Sequence, residues 1–360
     1  MRKDELEYLL KKINHRMLSI EKGDMVETCP IGIIDFNLWE WPQGVGLYGM
    51  WNYYLQSHDE KYISYIREWF ENRMKEGIPE RNVNTTAPML TLACLYEKTG
   101  DERYGKLCGD WARWIMAGMP RTEDGALQHI VSGSENRNQV WDDTLFMTVL
   151  FLAKWSVITE NREMQQEAVY QFLIHIQYLY DTKTGLWFHG WNFDGRHNFA
   201  KALWARGNCW ITVAIPEFLS MMGERVPGSV RRFLIGTLRN QVCALERLQC
   251  AGGLWTTLLN EADSYEEASA SAGFACGILK AVRLGYLEKA YRKISYRALD
   301  GLLRCVRDDG TVEKVSYGTG ISMKLEDYRR IPLVPMAYGQ SLMVLFLCEM
   351  LEDPGDEENG

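Results

Sequence analysis

The strongest constraint on the fold is a repeated pair of amphipathic helices joined by a tight turn. The segments HDEKYISYIREWF (58–70) and GDERYGKLCGDWARWI (100–115) both place large apolar side chains at the i, i+4 and i+7 positions. This spacing is typical of a helix with one buried face. Asp59 and Asp101 stand where N-caps are expected, and each segment follows another apolar helical pattern across a short turn. The predicted repeating unit is therefore helix, tight turn, helix.

Weaker copies of this unit run along the whole chain. No segment shows the alternation of a convincing β-strand, so the predicted fold class is all-α. The predicted helices cover residues 3–20, 42–57, 60–75, 84–98, 102–118, 141–158, 161–180, 204–222, 227–247, 266–283, 286–305 and 338–351.

The connections between the predicted helices alternate in length. Short connections lie near residues 58, 100, 160, 224 and 285, and long ones cover 21–41, 76–83, 119–140, 181–203, 248–265 and 306–337. Because alternate connections of an antiparallel helical array lie at opposite ends, the long loops gather at one end. Six apolar helices follow these loops, which predicts an (α/α)6 barrel with six inner and six outer helices. An open solenoid of helix pairs is the alternative.

Composition narrows the class of protein. With 46% hydrophobic and 24% charged residues, the chain can bury a large core, and we predict one catalytic domain over residues 1–360, although the length alone allows two. A net charge of −8 without a basic block argues against nucleic acid as a partner. There is no signal-peptide pattern and no apolar stretch that could span a membrane. Nine scattered cysteines without a C-x-x-C pair are typical of a reducing compartment, so we predict a cytoplasmic protein.

The end of the barrel that carries the long loops, termed the mouth, is the expected binding site. The N-termini of six inner helices point into it and favour an anionic ligand. Flat aromatic faces suit the apolar faces of sugar rings, although any single tryptophan is more often a packing residue. Eight tryptophans fall in or beside the long loops: Trp39, Trp41, Trp141, Trp187, Trp191, Trp204, Trp210 and Trp255.

Two adjacent aspartates stand in an apolar setting in NQVWDDTLFM (138–147). Acids are rarely left among large apolar side chains without a partner or a task. Neighbours in a helix project about 100° apart, so the two cannot flank one bond from opposite faces. Asp142 is expected at the N-cap or in the first turn, and Asp143 is expected to point to the barrel axis, where desolvation by Trp141 would raise its pKa. The alternative is that both acids serve only the helix dipole.

The other polar residues near the mouth either allow two interpretations or suggest no catalytic role. Arg206, in WARGNCW, can grip a carboxylate with its guanidinium fork or form an interhelical salt bridge, and the sequence leaves both open. His129 and His189 fall in mouth loops. Since zinc-binding spacings and Cys/His clusters are absent, no bound metal is predicted. GVGLYG (44–49) lies in a helical pattern without a preceding strand and is interpreted as close helix packing.

Several long motifs, in order, resemble one known family. The chain is similar from about Trp39 to Gln340 to the unsaturated rhamnogalacturonyl hydrolases of glycoside hydrolase family 105, which are related to the unsaturated glucuronyl hydrolases of family 88. The resemblance implies an (α/α)6 barrel and cytoplasmic breakdown of small oligosaccharides left by pectin or rhamnogalacturonan lyases. We predict no cofactor. The motifs that carry the resemblance are WEWPQGVGLYG, RTEDGALQHI, VWDDTLFM, GLWFHGW, WARGNCW and SYEEASASAGFACGILKAVRLGYL.

The resemblance also implies a mechanism and the residues that carry it. Members of the family hydrate the C4=C5 double bond of a terminal unsaturated uronic acid, after which the sugar is released. The family pattern W-x-D places the acid/base on Asp143. The family has an aspartate in some members where this chain has Asn84, which puts a two-acid mechanism in doubt. The implied substrate-binding residues are Trp39, Trp41, Gln43, Asn84, His129, Trp141, His189, Arg206, Trp210 and Glu267.

Three other functions compete with this prediction. The first is an unsaturated glucuronyl hydrolase acting on products of other polysaccharide lyases. The second is a conventional hydrolase or an epimerase on a similar barrel. The third is a non-catalytic sugar-binding protein of helical repeats, which the aromatic mouth alone would fit. The predicted partner is a small oligosaccharide, with neither nucleic acid nor membrane, and a homo-oligomer is compatible with the sequence.

Overall fold

The computed structural model describes residues 2–20 and 36–353, so most of the predicted 21–41 loop lies outside the described residues. Each predicted helix is present in the described chain. None of the described helices has the length and apolar character needed to cross a membrane. The helices are α1 Lys3–Leu18, α2 Trp41–Ser57, α3 Glu60–Glu76, α4 Val83–Thr99, α5 Glu102–Ala117, α6 Leu150–Ile158, α7 Arg162–Leu179, α8 Ala205–Met222, α9 Gly228–Leu248, α10 Ala268–Arg283, α11 Arg292–Leu303, α12 Leu325–Arg329 and α13 Ala337–Glu352.

The inner helices form a closed ring. Going round it, α2 packs on α4, α4 on α6, α6 on α8, α8 on α10 and α10 on α13, and α13 packs on α2 again. The outer ring consists of α1, α3, α5, α7, α9 and α11, each of which packs on an inner helix. This closure confirms the (α/α)6 barrel and excludes the open solenoid.

Helix patterning explains which helices are inside. The outer helix α3 buries only one stripe, formed by Tyr62, Ile63, Ile66, Trp69 and Phe70. The inner helix α13 is buried along nearly its whole length. The two predicted N-caps are confirmed, since Asp59 accepts a hydrogen bond from the Lys61 amide (3.1 Å) and Asp101 from the Arg103 amide (3.0 Å).

Glycines allow the inner helices to approach closely. A Cβ atom on Gly44 of α2 would lie 2.5 Å from the Pro88 nitrogen of α4. A Cβ atom on Gly277 of α10 would overlap the Thr212 carbonyl of α8. The interpretation of GVGLYG as close helix packing is therefore confirmed.

The mouth loops contain short strands, contrary to the prediction of a chain without strands. Strand β1 (Gln139–Trp141) pairs antiparallel with β2 (Gly190–Asn192), and β3 (Trp255–Thr256) pairs with β4 (Glu266–Glu267). Strands of two or three residues are too short to show an alternating pattern in the sequence.

Two helix boundaries differ from the prediction, and one further helix was not predicted. The inner helix predicted from residue 141 follows β1 and opens with a π-helical turn, Leu145–Val149, before α6. Helix α11 begins at Arg292, after a 3-10 turn, rather than at residue 286. The short helix α12 lies in the 306–337 loop, where no helix was predicted.

Candidate active site

A pocket of about 460 Å³, partly open at the mouth, lies among the N-termini of the inner helices. Six predicted site residues line it, together with Val131, Met147, Trp204 and Thr319. The six are Trp41, Asn84, His129, Trp141, Asp143 and Arg206.

The β1–β2 ladder brings Asp143 next to His189. Trp141 pairs with Gly190 across the ladder, and the Asp142 amide donates to the His189 carbonyl at 3.1 Å. Asp143 follows at the start of the inner helix and reaches the pocket. Its Oδ2 atom lies 3.4 Å from Nε2 of His189, whose side chain is buried. Two loops that are distant in sequence thus place an acid and an imidazole in contact.

Tyr328 of α12 determines which nitrogen of His189 carries the proton. The Tyr328 hydroxyl lies 2.7 Å from Nδ1 of His189 and accepts a 3.4 Å hydrogen bond from the Ser322 amide. Because the amide can only donate, the hydroxyl proton is available for Nδ1. We therefore infer that Nδ1 accepts this proton and that Nε2, which lies 3.4 Å from Oδ2 of Asp143, carries a proton of its own. Sequence reasoning missed Tyr328, since the 306–337 loop showed no pattern that indicates its position.

Asp142 and Asp143 form an acid pair, and Asp142 is its fully buried member. The backbone of α8 approaches so closely that a Cβ atom on Gly207 would overlap the Asp142 carboxyl group. No well-aligned N–H or O–H group among the described residues reaches either oxygen. The side chain interacts with the Asp143 carboxyl group instead. Desolvation and the neighbouring charge of Asp143 raise the pKa of Asp142 well above its usual range.

The expected raised pKa of Asp143 is wrong. Burial does raise the pKa of this carboxyl group, but the interactions with His189 and His129 and the hydrogen bond with Asp142 outweigh burial and leave the pKa below its usual value. The prediction named the wrong residue of the two, because the apolar setting raises mainly the pKa of Asp142. The pKa values of the two carboxyl groups are thus shifted in opposite directions, upward for Asp142 and downward for Asp143.

His129 forms part of an aromatic wall. Its ring stacks on Trp141 with a centroid distance of 4.2 Å and an interplanar angle of 9°. Its Nδ1 atom lies 2.8 Å from the hydroxyl oxygen of Thr144. Burial lowers the pKa of His129 to about 3, so the ring is neutral at physiological pH.

The terminal nitrogens of Arg206 are already occupied. Nη1 donates to the carbonyl (2.7 Å) and the hydroxyl of Ser316, and Nη2 donates to the Tyr317 carbonyl and the Thr319 hydroxyl, both at 2.9 Å. These four hydrogen bonds use all four terminal N–H groups of the guanidinium. A bidentate grip on a substrate carboxylate would require the 316–319 loop to be released. The geometry therefore favours the structural alternative for Arg206.

Glu267 completes this support of the pocket wall. It is the N-cap residue of α10, and it accepts hydrogen bonds from the Ser269 hydroxyl (2.6 Å) and the Ser316 amide (2.8 Å). One of its oxygens lies 3.8 Å from Nη1 of Arg206. The predicted interhelical ion pair is thus present, and it holds the loop that forms one side of the pocket.

Several predicted site residues lie behind the pocket rather than in it. Trp39 donates to the Thr85 carbonyl at 2.8 Å, and Gln43 is buried within α2. Trp210 is buried and meets the edge of Trp41 at a centroid distance of 6.3 Å. Of the eight tryptophans expected around the mouth, only three line the pocket: Trp41, Trp141 and Trp204.

Glu40 is a further acid near the pocket that sequence reasoning missed. It precedes α2 and interacts with the side chains of Asn84 and Ser132. Burial raises the pKa of Glu40 above its usual value. The only sequence signal was its position in WEWPQ, beside two tryptophans. Asn84 thus presents its amide between this carboxyl group and the pocket.

One group of potential ligand atoms for a metal ion exists among residues 2–20 and 36–353. It consists of Asp142, Asp143 and His189, with one atom of each lying within 4.8 Å of the others. These side chains are the acid pair and its histidine. We assign no metal ligand here, and the absence of a bound metal stays a prediction.

Comparison with known proteins agrees with this architecture. The chain is 32% identical over 317 residues to the unsaturated rhamnogalacturonyl hydrolase YesR of Bacillus subtilis (strain 168), covering 87% of this chain and 90% of that protein. A crystal structure of a possible member of family GH105 from Salmonella enterica superposes with a TM-score of 0.94 at 45% identity and covers 98% of this chain and 95% of the other.

A more distant structure shows the fold alone. The unsaturated glucuronyl hydrolase of Bacillus sp. GL1 superposes with a TM-score of 0.72 at 18% identity, covering 96% of each chain. Residues 10–353 match the Glycosyl Hydrolase Family 88, which is most of the chain. The chain therefore belongs to Glycosyl Hydrolase Family 88 and is a glycoside hydrolase, with GH105 proteins among its structural neighbours.

Proposed function

We propose that this enzyme removes a terminal 4,5-unsaturated uronic acid from oligosaccharides produced by pectin or rhamnogalacturonan lyases. The observation that carries this proposal is a pocket with one accessible acid, Asp143, facing an aromatic wall. A conventional glycosidase needs two carboxyl groups on opposite sides of the scissile bond. Hydration of a double bond needs one group that first gives and then takes a proton. The name of the Bacillus subtilis relative supports the same substrate class.

The reaction follows from the position of Asp143. The acid donates its proton to C4, and the positive charge that develops at C5 is met by a water molecule. The carboxylate of Asp143 takes a proton from that water as the C5–O bond forms. The resulting hemiketal opens, and the neighbouring sugar leaves. Nε2–H of His189 orients the carboxylate throughout.

The remaining site residues have supporting roles in this proposal. Trp41 and Trp141 provide faces for the sugar, and His129 backs Trp141 by stacking. Asn84 offers an amide to a hydroxyl group or to water. Arg206 and Glu267 fix the wall, and the residues behind the pocket seat Trp41 and its neighbours: Trp39, Gln43 and Trp210.

We also propose that residues 1–360 act as one catalytic domain in the cytoplasm. The side chain of Gln340 in α13 donates to the Ile13 carbonyl of α1, so elements from both ends of the described chain pack together. The eight described cysteines form no disulfide with one another, which suits a reducing compartment. A homo-oligomer stays a prediction, which sedimentation of the purified enzyme can check.

The decisive experiment follows the absorbance of the unsaturated uronate across lyase-generated disaccharides. We expect the absorbance to fall with the galacturonan-derived substrates and to persist with saturated disaccharides of the same linkage. Asp143→Asn should lower kcat by about 10²- to 10⁴-fold, the usual contribution of a general acid. Cleavage of saturated substrates at the same rate would overturn the proposal in favour of a conventional hydrolase. Preference for unsaturated glucuronides would establish the alternative substrate class.

A further inference from the structure

Under the proposed function, on which this inference rests, the acid pair must supply a proton to C4. Protonation of C4 requires a proton on Asp143, but the surroundings keep this carboxyl group ionised. Nε2 of His189 lies 3.4 Å from Oδ2 of Asp143 and interacts with this carboxyl group. The pKa of Asp143 is correspondingly lowered. An isolated Asp143 in this environment would be protonated in only a small fraction of the molecules at neutral pH.

Asp142 has the opposite environment. It is fully buried, and the close approach of Gly207 leaves no room for a water molecule on that side. No well-aligned donor among the described residues reaches its oxygens. In the described part of the chain, only the backbone N–H groups of Asp142 and Asp143 interact with it as donors, so a buried carboxylate is unfavourable here, whereas a neutral carboxyl group can donate its own proton to Asp143. This contact satisfies both acids with a single proton.

Charged and titratable groups on the surrounding elements do not change this result. Arg206 interacts with Asp143, and Glu267, which lies 3.8 Å from Nη1 of Arg206, offsets its charge. His129 is neutral, and Tyr328 and Cys209 are neutral because burial raises the pKa of each. The groups that face the pair are therefore His129, His189, Arg206, Cys209, Glu267 and Tyr328.

We propose that Asp142 is a positioning residue that stores, in the resting enzyme, the proton that Asp143 delivers to C4. When the substrate arrives, its carboxylate adds a negative charge beside Asp143 and raises the proton affinity of that group. The O–H bond of Asp142 breaks and an O–H bond forms on Asp143, which then protonates C4. Asp143 takes a proton from the attacking water, and this proton returns to Asp142. The pair thus holds one proton before and after each turnover.

The pH profile of Asp142→Asn tests this proposal. Asparagine keeps the shape and an N–H donor but stores no proton, so Asp143 must be protonated from solvent. We expect kcat at pH 7 to fall at least about tenfold and to recover as the pH is lowered, by about tenfold per pH unit. Asp143→Asn should remain inactive at every pH. KM should change little in Asp142→Asn, because Asp142 does not reach the pocket.

Two outcomes separate this proposal from the proposed function. If wild-type enzyme fails to consume unsaturated disaccharides, the proposed function is wrong. If the wild type is active and Asp142→Asn keeps the wild-type pH profile, the stored proton is wrong and the function stands. A uniform loss at all pH values would make Asp142 a structural residue and would equally overturn the proposal.

Infrared spectroscopy tests the wild-type enzyme directly in case Asp142→Asn does not fold. We expect the C=O band of a protonated carboxylic acid at pH 7 in protein labelled with ¹³C-aspartate. The isotope shift distinguishes aspartate from glutamate, so any band from Glu40 keeps its unlabelled position. Glu40→Gln is the matched control and should leave the aspartate band in place. Absence of a protonated aspartate band at pH 7 would overturn the proposal.

Discussion

At the scale of single residues, most polar groups around the pocket are bound to the protein itself. Arg206 donates its four terminal N–H groups to the 316–319 loop, and His189 is hydrogen-bonded to Tyr328. Such groups are preorganised, so they do not have to be reoriented during the reaction. The groups that remain free to contact the sugar are mainly the aromatic faces of the pocket and the carboxyl group of Asp143. Specificity for an unsaturated ring therefore depends strongly on how these supports position Asp143.

Tyr328→Phe should lower kcat and leave KM nearly unchanged. Without the hydroxyl proton, Nδ1 of His189 loses its hydrogen bond, the proton of His189 is no longer confined to Nε2, and the interaction of Nε2 with Asp143 is weakened. A net hydrogen bond is worth ~1–1.5 kcal/mol, which corresponds to about a five- to tenfold loss in kcat. Tyr265→Phe is the matched control, because its hydroxyl donates to the backbone carbonyl of Tyr328 and not to His189. Equal losses of kcat in both variants would show that only the position of α12 affects the reaction.

Arg206→Ala should slow the free acid and the methyl ester of a substrate by the same factor. The reason is that Arg206 acts through the 316–319 loop rather than through the substrate carboxylate. Arg206→Lys should restore little, since an ammonium group cannot reproduce the fork that binds the loop. Arg196→Ala removes a mouth arginine whose ion pair with Glu123 is exposed, and it serves as a control. An effect confined to the free acid would restore direct carboxylate binding.

These residues show what the sequence could predict about the site. The position of Asp143 in the pocket was predictable because its motif and its apolar neighbours are contiguous, and its catalytic role stays a prediction. The stored proton on Asp142 was not predictable, because it depends on Gly207, which belongs to another helix. For a similar reason, the sequence could not decide between the two roles of Arg206. Two of its four hydrogen bonds go to backbone carbonyls, which any residue type supplies.

At the scale of elements, helices and mouth loops were predictable to different degrees. Helices of 16 to 18 residues, such as α5 and α7, repeat their apolar pattern over several turns, and their positions were predicted within a few residues. The β1–β2 ladder and the π-helical turn at Leu145–Val149 are too short for any period. These short elements nevertheless set the contact between Asp143 and His189. The least predictable elements are thus the ones that assemble the site.

Gly277→Ala should destabilise the barrel at the α8–α10 contact. The added methyl group would overlap the Thr212 carbonyl, and overpacking of this kind costs about 1–3 kcal/mol in the free energy of unfolding. Gly236→Ala in the outer helix α9 is the control, because no atom lies within 4 Å of its added Cβ. We expect that control to be stabilised by up to about 1 kcal/mol through helix propensity. Urea unfolding measures both, and equal effects would contradict the packing argument.

At the scale of the whole molecule, a buried charged cluster ties the inner ring together away from the mouth. Lys280 of α10 lies 2.5 Å from Glu217 of α8 and 3.6 Å from Glu349 of α13. The Tyr48 hydroxyl of α2 donates to the second oxygen of Glu217 at 3.0 Å. Four of the six inner helices therefore share one polar network. Its position in the later part of α8, α10 and α13 separates the stability of the ring from the chemistry at the mouth.

Lys280→Met should lower the free energy of unfolding by about 3–5 kcal/mol, because it leaves the buried carboxylate of Glu217 without its cation. Glu349 should be affected less, since Arg283 still donates to both of its oxygens at 2.8 and 3.0 Å. The double variant Lys280→Met/Glu217→Leu removes both charges and should recover much of the loss, as buried ion pairs are often replaceable by apolar residues. Denaturant unfolding measures these differences. The kcat of the folded single variant should match that of the wild type, because no member of the cluster lines the pocket. A loss in kcat larger than the loss of folded protein would show that the cluster also shapes the mouth.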